Sequence, residues 1–189
     1  GLAANGKIPF ATTFAPFVAR RACDQIAISV ALANLNVKVV GTTPGVTAEM
    51  NGPTHMSFED LAIMRSIPNF TIVVPSDANE LRACVKAVAN HNGPLYLQLV
   101  RGVMPRVNDE DCEFKIGKAR VMMDGTDVTI CAMGYMLPIA LEAGKRLRTK
   151  GVRAQVINVA TLKPLDEETI VGAARTTGCV VTVENHSVI

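Results

Sequence analysis

The sequence predicts an α/β protein with two consecutive open, mainly parallel sheets that carry helices on both faces. Three observations lead to this class. Segments typical of strands and of helices alternate along almost the whole chain. Short runs such as residues 70–74 are apolar on nearly every residue, as in strands that are covered on both faces. The alternation pauses at residues 102–115 and then starts again.

The first part of the chain is predicted to hold four strands and three helices. A capping box in which Glu80 lies three residues after Asp77 opens the third helix, and Ser57 is predicted to cap the second. The predicted strands are residues 8–12, 37–41, 70–74 and 95–100, and the predicted helices are residues 14–35, 57–67 and 76–90.

A Gly- and Pro-containing acidic stretch, residues 102–115, is predicted to be a linker. In the part that follows, Asp124-Gly125 lies between two strand-like segments and is predicted to form a hairpin turn. The predicted strands are residues 128–133, 154–159 and 179–183, and the predicted helices are residues 137–150 and 166–176.

The composition excludes several functional classes. The net charge is only +2 and the basic residues are scattered, which gives no support to a nucleic-acid or membrane-surface role. No apolar run is long enough to cross a bilayer. The five cysteines contain no CxxC pair, so we expect reduced thiols in a cytoplasmic protein. They are Cys23, Cys84, Cys112, Cys131 and Cys179.

Phosphate-binding signatures are missing from the sequence. It contains neither GxGxxG nor GxxxxGK(S/T), and it lacks a GDG sequence followed by Asn. A diphosphate or metal site therefore has no candidate in these residues.

Four side chains follow predicted strands, where ligands of open α/β sheets bind. Phe14 and Phe17 are predicted to project from one helix face, either as ordinary core or as a slot for a flat ring. His55 ends a long loop, either as a hydrogen-bonding loop residue or as a proton donor and acceptor. Arg101 follows a strand, either in a surface ion pair or as an anchor for a phosphate or carboxylate.

Five segments of the chain carry a family resemblance. The block Gly52-Pro53-Thr54-His55, continuing to Ile67-Pro68-Asn69, is the most specific. The chain resembles transketolases, and most closely the type that is split into two subunits. The other matching segments are residues 13–25 (TFAPFVARRACDQ), 75–80 (PSDANE), 161–166 (TLKPLD) and 183–186 (VENH).

The resemblance implies a pyrimidine-binding domain at residues 1–101 and a transketolase C-terminal domain at 116–189, each lacking one end. It implies thiamine diphosphate as cofactor, with Phe14 and Phe17 holding the aminopyrimidine ring and Arg20 at the edge of that pocket. His55 is implied to serve the substrate and the cofactor amino group, and Arg101 to bind a sugar phosphate. The implied reaction is the transfer of a two-carbon ketol unit between sugar phosphates.

The chain also departs from the family pattern. Thr43 stands where many transketolases have a His, Asn51 where many have an Asp, and Met56 where a polar residue is usual. Thr43 and Asn51 are therefore candidate substrate-binding residues with altered specificity. The Glu that activates the cofactor in the family is expected before Gly1.

The resemblance further implies a partner, an N-terminal subunit that carries the Mg²⁺ and diphosphate site. It also implies association into a dimer of active units, for which we expect a heterotetramer. Two alternatives stay open. One is a related thiamine enzyme, namely a deoxyxylulose phosphate synthase or a 2-oxo acid dehydrogenase beta subunit. The other is a non-catalytic scaffold subunit with the same fold.

Overall fold

The computed structural model describes residues 1–188, which form two compact units. Unit 1 consists of residues 1–73, 84–103 and 185–188, and unit 2 of residues 74–83 and 104–184. Each unit contains a sheet that is entirely or mainly parallel and carries helices. The predicted fold class is confirmed.

The sheet of unit 1 has the strand order β1-β2-β4-β3, and every neighbouring pair is parallel. Phe14 pairs with Thr42, and Thr42 pairs with Leu99, so three strands end at the same edge of the sheet. The strands are β1 (Phe10–Phe14), β2 (Lys38–Thr42), β3 (Thr71–Val73) and β4 (Leu95–Leu99).

The segment between β1 and β2 corrects the prediction of one helix over residues 14–35. Phe14 is the last residue of β1 because it pairs with Thr42. Pro16 precedes the first helical turn, a position that suits a residue without a backbone N–H. The helical part consists of a short α-helix, α1 (Cys23–Ile26), flanked by wider π-helical turns at Phe17–Arg21 and Ala27–Ala31.

The predicted cap at Ser57 is wrong. Helix α2 covers Asp60–Ser66, and Glu59 occupies the N-cap position but makes no side-chain capping hydrogen bond. Ser57 is buried, and its carbonyl accepts a 2.8 Å hydrogen bond from the Gly45 amide. That bond closes a long loop, which contains a 3-10 segment at Gly45–Asn51.

Helix α3 (Ala78–Asn90) begins close to the predicted residue. The Asp77 carboxylate accepts a 2.9 Å hydrogen bond from the Glu80 amide, as the capping box predicted. The Glu80 carboxylate accepts from the amide of Ser76 at 2.8 Å, one residue before the N-cap.

The sheet of unit 2 has the order β5-β7-β6-β9. Strand β5 runs antiparallel to β7 instead of pairing with β6, so Asp124-Gly125 does not close a hairpin and that prediction is wrong. A Cβ at Gly125 would overlap the backbone of Ala154, which explains a glycine there. The elements are β5 (Arg120–Met123), β6 (Val128–Ala132), α4 (Leu137–Thr149), β7 (Ala154–Asn158), β8 (Thr161–Lys163), α5 (Glu167–Thr177) and β9 (Val180–Val183).

The buried cores of both units are mainly aliphatic, in line with the 4% aromatic content, and unit 1 also buries Phe70 and Tyr96. The core of unit 1 lies around its central strands, and that of unit 2 lies between β6, β7 and α4. Among residues 1–188, no helix is both long and apolar enough for a bilayer crossing.

Candidate active site

The candidate residues gather at the carboxyl edge of the unit 1 sheet. Phe14 ends β1, Thr43 follows β2, and Arg101 lies two residues after β4. Because these strands are adjacent and parallel, their carboxyl ends open onto the same side. The sequence pattern predicts a ligand site at this edge.

Three aromatic rings form a contact cluster at this edge. The ring centroids of Phe17 and His55 are 4.9 Å apart, those of Phe14 and His55 5.6 Å, and those of Phe14 and Phe17 5.7 Å. All three pairs are edge-to-face, with interplanar angles of 65–71°. Phe14 and Phe17 do not share a helix face as predicted, because Phe14 belongs to a strand, yet the fold brings their rings together.

Two neighbouring arginines near this cluster, Arg20 and Arg21, have different partners. The guanidinium carbon of Arg21 lies 4.3 Å from the Phe17 ring centroid, in a cation–π contact that sequence reasoning missed. The Arg20 side chain pairs with Glu59. The hydrogen bond to Glu59 raises the pKa of Arg20, and the same bond lowers the pKa of Glu59. Arg20 thereby ties the helical segment after β1 to the residue that precedes α2.

The orientation of His55 is set by its neighbour. Thr54 Oγ1 lies 2.9 Å from His55 Nδ1. The His55 amide donates a 3.0 Å hydrogen bond to the Gly52 carbonyl, which closes a tight turn. Gly52 has φ +71°, a left-handed conformation that favours glycine.

Asn51 and Arg101 are also brought together. Arg101 Nη1 lies 3.5 Å from Asn51 Oδ1, at the outer limit of a hydrogen bond, and both residues are exposed. The guanidinium therefore keeps most of its donors available. Thr43 is buried with φ +56°, and its amide donates a 2.8 Å hydrogen bond to the Leu99 carbonyl.

A buried carboxylate at the start of α2 escaped the sequence reasoning. Asp60 Oδ2 accepts hydrogen bonds from the Tyr96 hydroxyl at 2.7 Å and from Gln98 Nε2 at 2.6 Å. Burial raises the pKa of the Asp60 carboxyl, and the hydrogen bonds from Gln98 and Tyr96 oppose that rise. In the sequence, Glu59-Asp60 is an ordinary acidic pair at a helix start, which gave no signal for these partners.

Metal ligands are not clustered in the described part of the chain. Residues 1–188 contain no group of three or more His, Cys, Asp or Glu side chains arranged to hold a metal ion. What the edge offers is aromatic rings, a histidine and a guanidinium. Such groups suit a flat heterocycle and an anionic substrate.

Two family models match this chain. The model described as "Transketolase, pyrimidine binding domain" covers residues 1–106, and the one described as "Transketolase, C-terminal domain" covers residues 117–189. These matches confirm the resemblance that the sequence motifs indicated.

The similar proteins are longer than this chain, which covers only part of each. A 6-deoxy-6-sulfo-D-fructose transketolase subunit from Clostridium sp. (strain MSTE9) is 51% identical over 100% of this chain and 59% of its own length. The 1-deoxy-D-xylulose-5-phosphate synthase 1 of Geobacter sulfurreducens is 40% identical over 99% of this chain and 29% of its own length. A solved structure described as "Split gene transketolase, inactive beta4 tetramer" superposes with a TM-score of 0.92 at 46% identity, over 99% of this chain and 60% of that chain.

Proposed function

Because the chain belongs to the transketolase family, we propose that it is part of the C-terminal subunit of a split transketolase. In this role it works with an N-terminal subunit to move a two-carbon ketol unit between sugar phosphates. The donor ketose loses its C2–C3 bond, and the C1–C2 unit is joined to the aldehyde carbon of the acceptor. The contact cluster of Phe14, Phe17 and His55 is the observation that carries this proposal.

The cluster fits the aminopyrimidine ring of thiamine diphosphate, the cofactor of this family. Phe14 and Phe17 are both partly exposed, so their rings have surface left for a flat heterocycle. The bound cofactor supplies a nucleophilic thiazolium carbon, and the protein supplies orientation and electrostatics. Arg20 is neutralised by Glu59, and the cation beside the Phe17 ring is the Arg21 guanidinium.

His55 is proposed to exchange a proton with the substrate. Thr54 holds the ring through Nδ1 and leaves Nε2 as the reactive atom. The edge-to-face contacts with both phenylalanines limit rotation of the imidazole. A histidine fixed in this way can donate to or accept from a hydroxyl without first reorganising.

The anionic end of the substrate is assigned to Arg101. Its exposed guanidinium can grip a phosphate or sulfonate with two parallel hydrogen bonds. Asn51 lies beside it and can both donate to and accept from a sugar hydroxyl, unlike the carboxylate common in the family. The Clostridium relative is a 6-deoxy-6-sulfo-D-fructose transketolase subunit, which makes a sulfonated ketose a candidate donor beside the sugar phosphates.

The partner subunit is proposed to supply Mg²⁺ and diphosphate binding. This chain spans about 60% of the length of the split relatives that it matches. For the domain boundaries, we propose the predicted division into residues 1–101, a linker at 102–115 and residues 116–189. For the assembly we propose a heterotetramer, and the related structure is described as an inactive beta4 tetramer.

An assay of donor use tests the proposal. The subunit is purified alone and together with its N-terminal partner, and each sample receives thiamine diphosphate and Mg²⁺. Ketose phosphates and 6-deoxy-6-sulfo-D-fructose are then offered with an aldose phosphate acceptor. We expect turnover only with the partner present. Robust turnover by the isolated subunit would refute the split arrangement, and no cofactor binding by the complex would indicate a scaffold.

A deoxyxylulose phosphate synthase is the second candidate. The 40% identity to the Geobacter synthase over nearly the whole chain favours it. Pyruvate offered with glyceraldehyde phosphate distinguishes the two, because the synthase releases carbon dioxide from pyruvate and a transketolase does not use it. Consumption of pyruvate instead of ketose would select the synthase.

A further inference from the structure

The 185–187 segment is bonded to both ends of the loop that carries Asn51 and His55. We propose that Asn185, His186 and Ser187 are positioning residues, which hold this loop in the geometry that the reaction needs. The catalytic part of this inference rests on the proposed function. The segment follows β9 in the chain, yet residues 185–188 belong to unit 1 together with the loop.

The first end of the loop is held by the Asn185 side chain. Its Nδ2 donates a 3.2 Å hydrogen bond to the Pro44 carbonyl, and its Oδ1 accepts a 3.3 Å hydrogen bond from the Val46 amide. One amide group therefore spans the turn at Gly45. A Cβ at Gly45 would overlap the Asn185 side chain, and φ at Gly45 is +52°. The turn and the asparagine fit each other closely.

The far end of the loop is held by the next two residues. The Ser187 amide donates a 2.8 Å hydrogen bond to the Phe58 carbonyl. His186 Nε2 accepts a 3.3 Å hydrogen bond from the Ala62 amide. Ala62 lies in the first turn of α2, where amides have no partner within the helix. His186 therefore caps α2 through its ring.

The same geometry fixes the tautomer of His186. An amide that donates to Nε2 requires this nitrogen to be unprotonated, so the ring proton is on Nδ1. His186 Nδ1 lies 3.0 Å from the Ser187 carbonyl, which can accept that proton. The imidazole thus makes two hydrogen bonds, one to each segment.

These contacts matter because the middle of the loop, at residues 50–54, is largely exposed. Met50 is 86% exposed, and Asn51 and Thr54 are exposed as well. Inside the loop, the His55 ring contacts Phe14 and Phe17 and Ala48 is buried, and the 185–187 segment adds fixed points at the two ends. Ordering a loop costs conformational entropy for each residue. Hydrogen bonds at both ends already order part of the loop, so less of the substrate's binding free energy is lost to that entropy cost.

Hydrogen–deuterium exchange and kinetics together test the inference. Asn185→Ala and His186→Ala are compared with wild type, and Asn92→Ala, an exposed asparagine of unit 1, is the matched control. We expect exchange in peptides covering residues 44–62 to rise about five- to tenfold, which is the factor expected for losing one or two hydrogen bonds. Peptides from β2 and β4 should not change. Asn185→Asp keeps the acceptor for Val46 and should give a smaller rise.

In the assembled enzyme, kcat should fall by a similar factor of about five to ten. The KM for thiamine diphosphate should change less than kcat, because Phe14 and Phe17 lie outside the loop and only His55 of the ring cluster lies within it. Unchanged exchange at residues 44–62, or an equal rise in β2 and β4, would overturn the positioning role. If wild type transfers no ketol unit, the proposed function fails, and the exchange data still decide whether the segment holds the loop.

Discussion

Gly41 leaves the space that the Tyr96 side chain fills. A Cβ at Gly41 would overlap the hydroxyl and ring carbons of Tyr96. Tyr96 is fully buried, and its hydroxyl reaches Asp60 Oδ2 at 2.7 Å. Gln98, which pairs with Gly41 across β2 and β4, donates to the same oxygen. The absence of a side chain at Gly41 on β2 therefore makes room for the buried hydrogen bond from Tyr96 on β4 to Asp60.

The first prediction concerns this contact. Gly41→Ala should lower the free energy of unfolding by about 2–4 kcal/mol, because the methyl group overpacks the site and displaces the Tyr96 hydroxyl from a buried carboxylate. Urea denaturation followed by circular dichroism measures the change. Gly172→Ala is the control, since Gly172 lies within α5 and has no atom near its Cβ position. That variant should be neutral or slightly stabilising. Equal stability of both variants would contradict the argument.

The second prediction concerns the buried ammonium of Lys38. Its Nζ donates to Asn36 Oδ1 and to the carbonyls of His91 and Gly93, at 2.6, 2.6 and 2.9 Å. Burial lowers the pKa of Lys38 to about 8. The unfolded chain, with an ordinary lysine pKa of about 10.4, binds more protons between these values. The free energy of unfolding should therefore gain a contribution that rises from pH 8 to pH 10.

Lys38→Met isolates that contribution. The difference in unfolding free energy between wild type and variant cancels the titration of groups that Lys38 does not influence, and His91, whose pKa is lowered by burial and by Lys38, titrates below the pH range of the experiment. It should grow with pH in favour of wild type by at most about 1.4 kcal/mol per pH unit. Urea titrations at pH 7.5, 8.5 and 9.5 under reducing conditions give this difference. A flat difference would mean that Lys38 keeps an ordinary pKa, and a difference that falls with pH would mean that its pKa is raised, so either result contradicts the prediction.

The predictable part of the fold is the part that local pattern dictates. Buried strands of a parallel sheet are apolar on both faces, so β3 and β4 were recognised within one or two residues. A strand-like segment before Asp124 was expected, but its partner was predicted wrongly, because β5 is short, half-exposed and paired with a strand more than thirty residues later. Such a partner is fixed by tertiary context and leaves no periodic signal.

The site shows the same division. The rule that ligands bind at carboxyl ends of parallel strands placed Phe14, Thr43 and Arg101 at one edge. Side-chain pairs between residues that are far apart in the sequence could not be predicted. Arg20 and Glu59 are 39 residues apart, and Tyr96 and Asp60 are 36 apart. Each pair joins side chains that would be ordinary surface or core residues if considered alone.

The third prediction separates cofactor binding from packing at Phe17. Phe17→Ala should raise the dissociation constant for thiamine diphosphate about tenfold or more, because stacking on an aromatic ring is lost. The effect on stability should be smaller, since Phe17 is partly exposed. Calorimetric titration of the two-subunit complex gives the affinity. Phe114→Ala, which alters a phenylalanine of unit 2 that is also partly exposed, is the control. A large loss of stability with unchanged affinity would assign Phe17 to core packing.

The fourth prediction tests Arg101 as the anion anchor. Arg101→Ala removes a charge-assisted pair with the substrate, which should cost about 2–4 kcal/mol and raise the KM for a phosphorylated or sulfonated ketose by roughly 30- to 800-fold. The KM for thiamine diphosphate should not change. Arg106→Ala removes another exposed arginine five residues later and should leave both constants unaltered. If Arg101→Ala matches Arg106→Ala in steady-state kinetics, Arg101 does not contact the substrate. If a ketose without the anionic group loses as much as the charged one, Arg101 acts through Asn51 and the loop instead.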